Sequence, residues 1–244
     1  MIEVKNLHKS FGPVVAVDDV SFSAQDGQIT GLLGPNGAGK TTTLRILYTL
    51  MRPDRGAALV DGFDGAEQPG EVQRRIGVLP DSLGLYPRLT AREHIRYFGE
   101  LQGMGGAALE RSIDALVDLL DMRDIADRRA DGFSQGQRLK VAIARAIVHE
   151  PRTILLDEPT NGLDVMSTRA MRALIRRFRD EGRCVLFSSH IMQEVAALCD
   201  RIVVIARGRV VASGTPDELR AATGQASLED AFVAAIGSEE GLGL

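Results

Sequence analysis

The sequence predicts a mixed α/β domain: a parallel-sheet core built around a phosphate-binding loop, an antiparallel β edge from the N-terminal strands, and a helical subdomain inserted in the middle. Three observations carry this expectation. A glycine-rich turn, Gly34-Pro-Asn-Gly-Ala-Gly-Lys-Thr, lies between an apolar strand-like run and an amphipathic helix. The last third of the chain alternates strand and helix patterns, as parallel sheets do. Between two β-rich stretches, residues 82 to 150 are patterned as helix.

At the N-terminus, Glu3 to Leu7 alternates, Val14 to Phe22 is rich in β-branched residues, and Gln28 to Leu33 runs apolar into the glycine turn. A helix is expected from Thr41, with Leu44, Leu47, Tyr48 and Met51 on one face and Pro53 as the stop. Ala57 to Val60 and Arg75 to Leu79 read as short strands. Thr90-Ala-Arg-Glu is a capping box for the next helix, which Gly103 ends, and Ala107 to Leu120 continues the helical insert. After Ser134 a long helix carries Leu139, Ala142, Ile143 and Ala146 on one side. Thr153 to Leu156 is an apolar strand ending in two acids. There follow helix Val165 to Arg179, strand Arg183 to Phe187, helix Ile191 to Leu198 and strand Ile202 to Ile205. Thr215-Pro-Asp-Glu caps a short helix, Leu228 to Ile236 reads as another, and Gly237 to Leu244 as a loose tail.

One domain is expected over residues 1 to 244, with its core at 1 to 81 and 151 to 225, the helical subdomain at about 82 to 150, and a short C-terminal helix and tail at 226 to 244. The net charge of -4 spreads 29 basic residues among 33 acidic ones, which argues against a nucleic-acid partner. Cys184 and Cys199 lack metal or redox spacing and are expected as buried free thiols, which fits a reducing cytoplasm. No signal-peptide pattern opens the chain. Its longest stretch without a charge, Gly27 to Gly39, is rich in glycine, whereas a spanning helix needs roughly 20 apolar residues. The chain is therefore not expected to cross a membrane by itself.

The turn matches G-x-x-x-x-G-K-[ST], the mark of a P-loop NTPase core. Its glycines let successive backbone N–H groups turn inward around phosphate oxygens, and the following helix N-terminus adds its positive end. Gly34, Pro35, Asn36, Gly37, Ala38, Gly39, Lys40, Thr41 and Thr42 are therefore the expected ATP-binding residues. Lys40 would reach the β- and γ-phosphates and Thr41 would ligand Mg²⁺. Ile154-Leu-Leu-Asp-Glu ends a strand at its carboxyl edge, where open α/β sheets place ligands. Asp157 is then placed to hold Mg²⁺ through water and Glu158 to orient or deprotonate the attacking water. Paired acids at a strand end also serve as helix caps; beside a complete phosphate loop the catalytic reading is preferred.

Over nearly its whole length the chain resembles an ABC transporter nucleotide-binding subunit, an ABC ATPase type of P-loop fold. Phe133-Ser-Gln-Gly-Gln stands where that family has its signature loop, Asn161-Gly-Leu-Asp where it has the D-loop, His190 where it has the switch histidine, and Phe11 where an aromatic stacks on adenine. The resemblance implies two copies facing head to tail across two ATP molecules, closing on ATP and reopening on hydrolysis. Ser134, Gly136, Gln137 and Asp164 would contact the nucleotide of the opposite subunit, and His190 would join Glu158 and Lys40 in catalysis. Ser134 and Gln137 also spell a capping box, a lone histidine is more often packed or on the surface, and an early aromatic is usually core.

Three positions depart from the family pattern. Gln135 replaces the first signature glycine, Asn161-Gly162 replaces the commoner Ser-Ala, and Asp81 stands where the Q-loop glutamine is expected. Asp81 therefore joins Thr41 and Asp157 as an expected metal contact, or else only caps the turn after Pro80. Leu79-Pro-Asp-Ser-Leu-Gly-Leu-Tyr-Pro-Arg-Leu-Thr resembles the NatA-type branch, whose members pair with a separate permease and for which sodium extrusion is one named activity. The resemblance thus implies a permease partner, a second copy or a homologous ATPase, and a peripheral place on the inner face of the cell membrane. The rival is a soluble, non-transport ABC ATPase, but such proteins carry long coiled coils or tandem ATPase units, and this sequence has neither heptads nor a second phosphate loop. Leu85, Tyr86 and Pro87 are apolar in an expected loop, fitted to dock a helix of the permease or to plug the core of the helical lobe.

Overall fold

Apolar residues alternate along the central strands, and the two sets enter two different cores. The structure, a computed structural model, describes residues 1–237. The expected tail begins at its last described residue, Gly237, and otherwise lies outside that range. Strands β1 (Ile2–Phe11), β2 (Val14–Ala24), β3 (Ile29–Leu33), β4 (Arg55–Val60), β5 (Phe63–Asp64) and β6 (Ile76–Leu79) enclose helices α1 (Lys40–Leu47) and α2 (Pro69–Gln73). Then come α3 (Ala91–Leu101), α4 (Gly106–Leu119) and α5 (Gln135–Ile147). The remainder is β7 (Thr153–Asp157), α6 (Val165–Asp180), β8 (Cys184–Ser189), α7 (Met192–Leu198), β9 (Arg201–Ala206), β10 (Arg209–Gly214), α8 (Pro216–Thr223) and α9 (Leu228–Ile236).

A six-stranded sheet in the order β10-β9-β3-β8-β7-β6 is parallel except for β10, and a four-stranded antiparallel sheet runs β2-β1-β4-β5. This is the mixed α/β architecture with an antiparallel edge that the sequence predicts. Ile29, Ile154, Leu156, Val185, Phe187 and Val204 join one core, shared with α3 to α7. Leu32, Leu155, Leu186, Val203 and Ile205 point the other way, into a core shared with α1 and the antiparallel sheet. Both faces are covered, one by helices and the other by α1 and the antiparallel sheet, so the strands are apolar throughout.

Some boundaries differ from the sequence expectation. Helix α1 ends at Leu47, because Thr49 takes a left-handed φ of 65° and the chain folds back. Tyr48 and Met51 thus lie beyond the helix, though both still pack on the second core. The short α2 and β5 and the edge strand β10 were not expected; each is too short or too polar to show a period. Both cysteines are buried and free, and burial pushes the Cys184 thiol up to about 12.

Helix α3 begins with the expected capping box, Thr90 accepting from the Glu93 N–H and Glu93 from the Thr90 N–H. Ile95, Leu109, Ile113, Leu139 and Ile143 share the first core, so α3, α4 and α5 pack as a helical layer. Two buried polar side chains tie the preceding loop to it. Arg145 donates to the carbonyls of Leu83 and Gly84, and its guanidinium lies 4.7 Å from the Phe98 ring centroid. His94 is fully buried; its Nδ1 donates to the Thr90 carbonyl at 2.9 Å and its Nε2 accepts from the Tyr86 N–H at 2.8 Å. Leu85 turns inward at 8% exposure and does fill the core of the helical layer, while Tyr86 stays 53% exposed.

His94 can accept from Tyr86 only while neutral. Burial, with the nearby Arg145 charge, lowers its pKa below the ordinary 6.5 against the Thr90 carbonyl, and burial likewise lowers that of His149. A depressed histidine pKa makes stability full above about pH 6.5 and lost as pH falls below it, because the unfolded chain takes up the proton first. The thermal midpoint should therefore drop on acidifying from about pH 7.5 to about pH 5.5. In His94→Phe the drop should shrink but persist through His149, and stability at neutral pH should fall by about 1–3 kcal/mol for the orphaned Tyr86 N–H. Differential scanning calorimetry across that range checks both; an unchanged acid slope in His94→Phe would remove His94 as its source.

Candidate functional site

Strands β3, β8 and β7 run parallel in that spatial order, with Leu33 paired to Ser189 and Asp157 to Ser188. Their carboxyl ends open at one level, the place where α/β sheets hold ligands. The turn between β3 and α1 forms the floor. Gly39 caps α1 with φ 105°, and a Cβ there would sit 2.4 Å from the Ala16 carbonyl oxygen, so only glycine fits. Lys40 opens α1 and is 5% exposed. Its Nζ donates to the carbonyls of Gly34 at 2.7 Å and Pro35 at 3.1 Å and lies 3.7 Å from Glu158 Oε1. Burial lowers the Lys40 pKa, while the carboxylates of Glu158 and Asp157 oppose that shift.

Asp157 ends β7 at 2% exposure. Its Oδ1 accepts from the Ser188 hydroxyl at 2.6 Å and the Thr41 hydroxyl at 3.2 Å. Its Oδ2 is buried and has no hydrogen-bond partner within the protein. Burial raises the Asp157 pKa; the two hydroxyls work against that rise, and the charges of Asp81 and Glu158 add to it. Glu158 follows in the left-handed region, φ 50°, with its N–H donating to Ser188 Oγ at 3.0 Å and its Oε2 2.9 Å from His190 Nδ1. A non-glycine residue held there stores strain, which re-aims the carboxylate away from the strand direction.

Of these groups, Lys40, Thr41, Glu158 and His190 border a cavity of about 660 Å³. The phosphate loop contributes Asn36 to Thr42 to its lining, joined by Phe11 and Ala16 from the β1–β2 hairpin and by Asp81, Glu158, Asn161 and His190 from beyond the sheet ends. Phe11 is 46% exposed and so lies outside the core. Gly34 and Pro35 lie behind the loop and hold Lys40. Asp157 lies beneath, lining a smaller cavity of about 130 Å³ together with Asp81 and Glu158. Ser134, Gly136, Gln137 and Asp164 are not among the residues of the nucleotide-sized cavity. Ser134 and Gln137 form a reciprocal capping box on α5, and Asp164 caps α6 by accepting from the Ser167 N–H at 2.8 Å. Another hollow, about 570 Å³ between α4, α5 and α6, is mainly apolar and takes in neither Asp157 nor Glu158.

Chemically, the cavity offers a cation, a run of loop residues at a helix start, and a carboxylate paired with an imidazole. That set suits a phosphorylated ligand and a water activated beside it. The unpartnered Asp157 Oδ2, the Thr41 hydroxyl and the nearby Asp81 fit a hard divalent cation such as Mg²⁺. Among the described residues no three His, Cys, Asp or Glu side chains are grouped to hold a metal alone, so phosphate oxygens and water would complete such a site. Sequence reasoning missed Ser188, whose one hydroxyl serves both Asp157 and the Glu158 N–H. The available signal was Ser188-Ser189 at the end of an otherwise apolar strand, with His190 next.

The ABC transporter family model matches residues 17–161. The "ABC transporter ATP-binding protein NatA" of Bacillus subtilis (strain 168) is 48% identical over 207 residues, covering 84% of each chain. A solved ATP-binding subunit of an ABC transporter superposes with a TM-score of 0.90 at 32% identity, covering 97% of this chain and 100% of that one. A dimeric post-hydrolysis state of an ATP-binding cassette, bound to ADP and Pi, superposes with a TM-score of 0.80 at 25% identity over 88% of this chain and 98% of its own.

Proposed function

Because this chain belongs to the ABC transporter family and is an ATP-binding subunit of that family, we propose that it hydrolyses ATP in the cavity above the phosphate loop and so powers a separate membrane permease. The observation that carries the reading is the single carboxylate of Glu158, set between Lys40 at 3.7 Å and His190 at 2.9 Å over a complete phosphate loop. Phe11 stacks on the adenine, and Asn36 to Thr42 hold the phosphates through backbone N–H groups and the Lys40 ammonium, which the Gly34 and Pro35 carbonyls position. A water bonds to the γ-phosphorus, the bond from that phosphorus to the β,γ-bridging oxygen breaks, and Glu158 takes the proton of the water. His190 holds Glu158 in place. Mg²⁺, when bound near Thr41, Asp157 and Asp81, neutralises phosphate charge.

A dimeric relative bound to ADP and Pi supports a two-copy assembly. In it Ser134, Gly136, Gln137 and Asp164 would reach the nucleotide of the other copy, itself identical or a homologous ATPase. No helix of the described residues is long and apolar enough to cross a membrane. A permease would therefore hold the chain against the cytoplasmic face of the membrane, and the NatA likeness favours export, of sodium or another solute. Exposed Tyr86, in the loop that follows Asp81, and exposed Tyr97, whose ring centroid lies 6.3 Å from that of Tyr86, offer that permease an apolar foothold.

Three measurements test this reading. Glu158→Gln should lose roughly 10²- to 10⁴-fold in ATP turnover, the usual weight of a general base, yet keep ATP binding and accumulate as a closed dimer; a variant that stays monomeric in light scattering at saturating ATP would rule out the shared-site assembly. Titrating Mg²⁺ against ATPase rate should give displaced curves for wild type, Asp81→Asn and Asp81→Gln, and nucleotide without metal should bind better to Asp81→Asn, which lacks the charge facing the phosphates. Superimposable curves would leave Asp81 as a cap outside the site. Tyr86→Ala should lose co-purification with the permease at nearly unchanged basal ATPase and melting temperature, and a drop of several degrees would instead make Tyr86 part of the packing.

A further inference from the structure

Behind the acids, on the opposite face of the sheet, lies a buried carboxylate that the hydrolytic reading does not use. Glu194, in the first turn of α7, is 5% exposed. Its Oε2 accepts from the Thr160 hydroxyl and lies 3.5 Å from Ser189 Oγ, and its Oε1 lies 3.8 Å from Arg172 Nη2 on α6. Thr160 is 6% exposed and stands two residues after Glu158; Ser189 is 1% exposed and immediately precedes His190. The Ser189 hydroxyl also accepts from the Ile191 N–H at 3.0 Å. One side chain therefore touches both loops that carry the Glu158–His190 pair.

We propose that Glu194 is a positioning residue for ATP hydrolysis: it fastens the loop after β7 to the loop after β8 and so sets the 2.9 Å approach of His190 to Glu158. The proposal rests on the hydrolytic reading for its consequence, while the fastening itself is independent of it. Two hinges must be fixed for the pair to meet. Glu158 is bound at its N–H by Ser188, and Pro159 restricts the next φ, so the free end of that segment is Thr160, which Glu194 holds. On the other strand, Ser188 and Ser189 alternate faces, and Ser189 turns toward Glu194 just before the chain leaves the sheet at His190. An apolar side chain would fill the same space without desolvating a charge, but it would offer neither hydroxyl an acceptor. With a charge so deeply buried, its three polar neighbours are also what keep it tolerable.

The test compares Glu194→Ala and Glu194→Gln with wild type. Glu194→Ala should lower kcat by roughly 10- to 100-fold, the scale of a small misplacement of a catalytic group, with the KM for ATP and the Kd for ADP changed less than about two-fold. Glu194→Gln keeps an acceptor for Thr160 and should recover most of that loss. Hydrogen exchange should rise together in peptides spanning 158–164 and 188–192 of Glu194→Ala and nowhere else in the sheet. Should Glu194→Ala fail to fold, Thr160→Val combined with Ser189→Ala removes the same contacts from the other side and should show the same pattern of kcat and exchange. Unchanged kcat per folded molecule, or a loss that Glu194→Gln shares in full, overturns the positioning role. If wild type itself hydrolyses no ATP, the hydrolytic reading fails, and the exchange in the two loops still decides the fastening.

Discussion

Everything at this site depends on the in-register parallel pairing of β3, β8 and β7. Asp157 stands opposite Ser188 and Leu33 opposite Ser189, so three strands end together. Side chains alternate faces, and the parity of each strand is already fixed by its core residues. Leu155 and Leu186 enter the core beneath α1, so Asp157 and Ser188, two residues on in each case, face the same side, where the Asp157 carboxylate accepts from both Thr41 and Ser188. Phe187 enters the other core, so Ser189 faces α7 and Glu194. A slip of one residue would exchange every one of these partners, which ties the chemistry to burial of the apolar set.

The local electrostatics run against the charge of Asp157. Asp157 is nearly inaccessible, Asp81 and Glu158 add like charge, and only two hydroxyls oppose the rise in its pKa. Lys40 faces the mirror-image problem, desolvated but drawn to the charged form by Glu158 and Asp157. The orphaned Asp157 Oδ2 marks where a positive partner is electrostatically favoured. The left-handed backbone at Glu158 belongs to the same economy. It costs about 1–3 kcal/mol, and it separates two adjacent acids so that one can stay buried while the other reaches the cavity.

How much of this was legible follows from the range of each interaction. The phosphate loop is local: its glycines, its lysine and its flanking strand and helix occupy one short window, so both fold context and site could be read directly. The same holds for the capping boxes at Thr90, Ser134 and Thr215, whose partners lie three residues away. Ser188 and Glu194 were not legible, because the partners on the β7 side that give them a role, Asp157, Glu158 and Thr160, are 30 to 34 residues off in sequence and become neighbours only through strand pairing and helix crossover. The edge strand β10 was missed for a different reason. It is antiparallel, half exposed and ends in Ser-Gly, so it lacks the apolar run of its neighbours. Tyr48 and Met51 fitted a helical period, but the left-handed Thr49 breaks the helix before that period can continue.

Two of the three departures from the family pattern, at Gln135 and at Asn161-Gly162, look independent in the sequence and are joined in space. The Gln135 side-chain Nε2 donates to the Asn161 carbonyl at 3.2 Å, across 26 residues of sequence. It thereby lies over Gly162, where a Cβ would come within 2.7 Å of that same nitrogen and where the backbone φ is 71°. An alanine at residue 162 would meet both objections, the left-handed backbone and the amide above it. Glycine at 162 and glutamine at 135 thus make one contact: the longer side chain at the start of α5 is accommodated because the loop after Glu158 gives up its own Cβ. That contact joins the N-terminus of α5 to the segment which Glu194 holds from the other side, so the loop between Glu158 and Asp164 is braced at Thr160 by α7 and at Asn161 by α5. Its position therefore depends on how the helical layer sits against the sheet, and any shift of α5 relative to β7 must either move Asn161 or break the Gln135 bond.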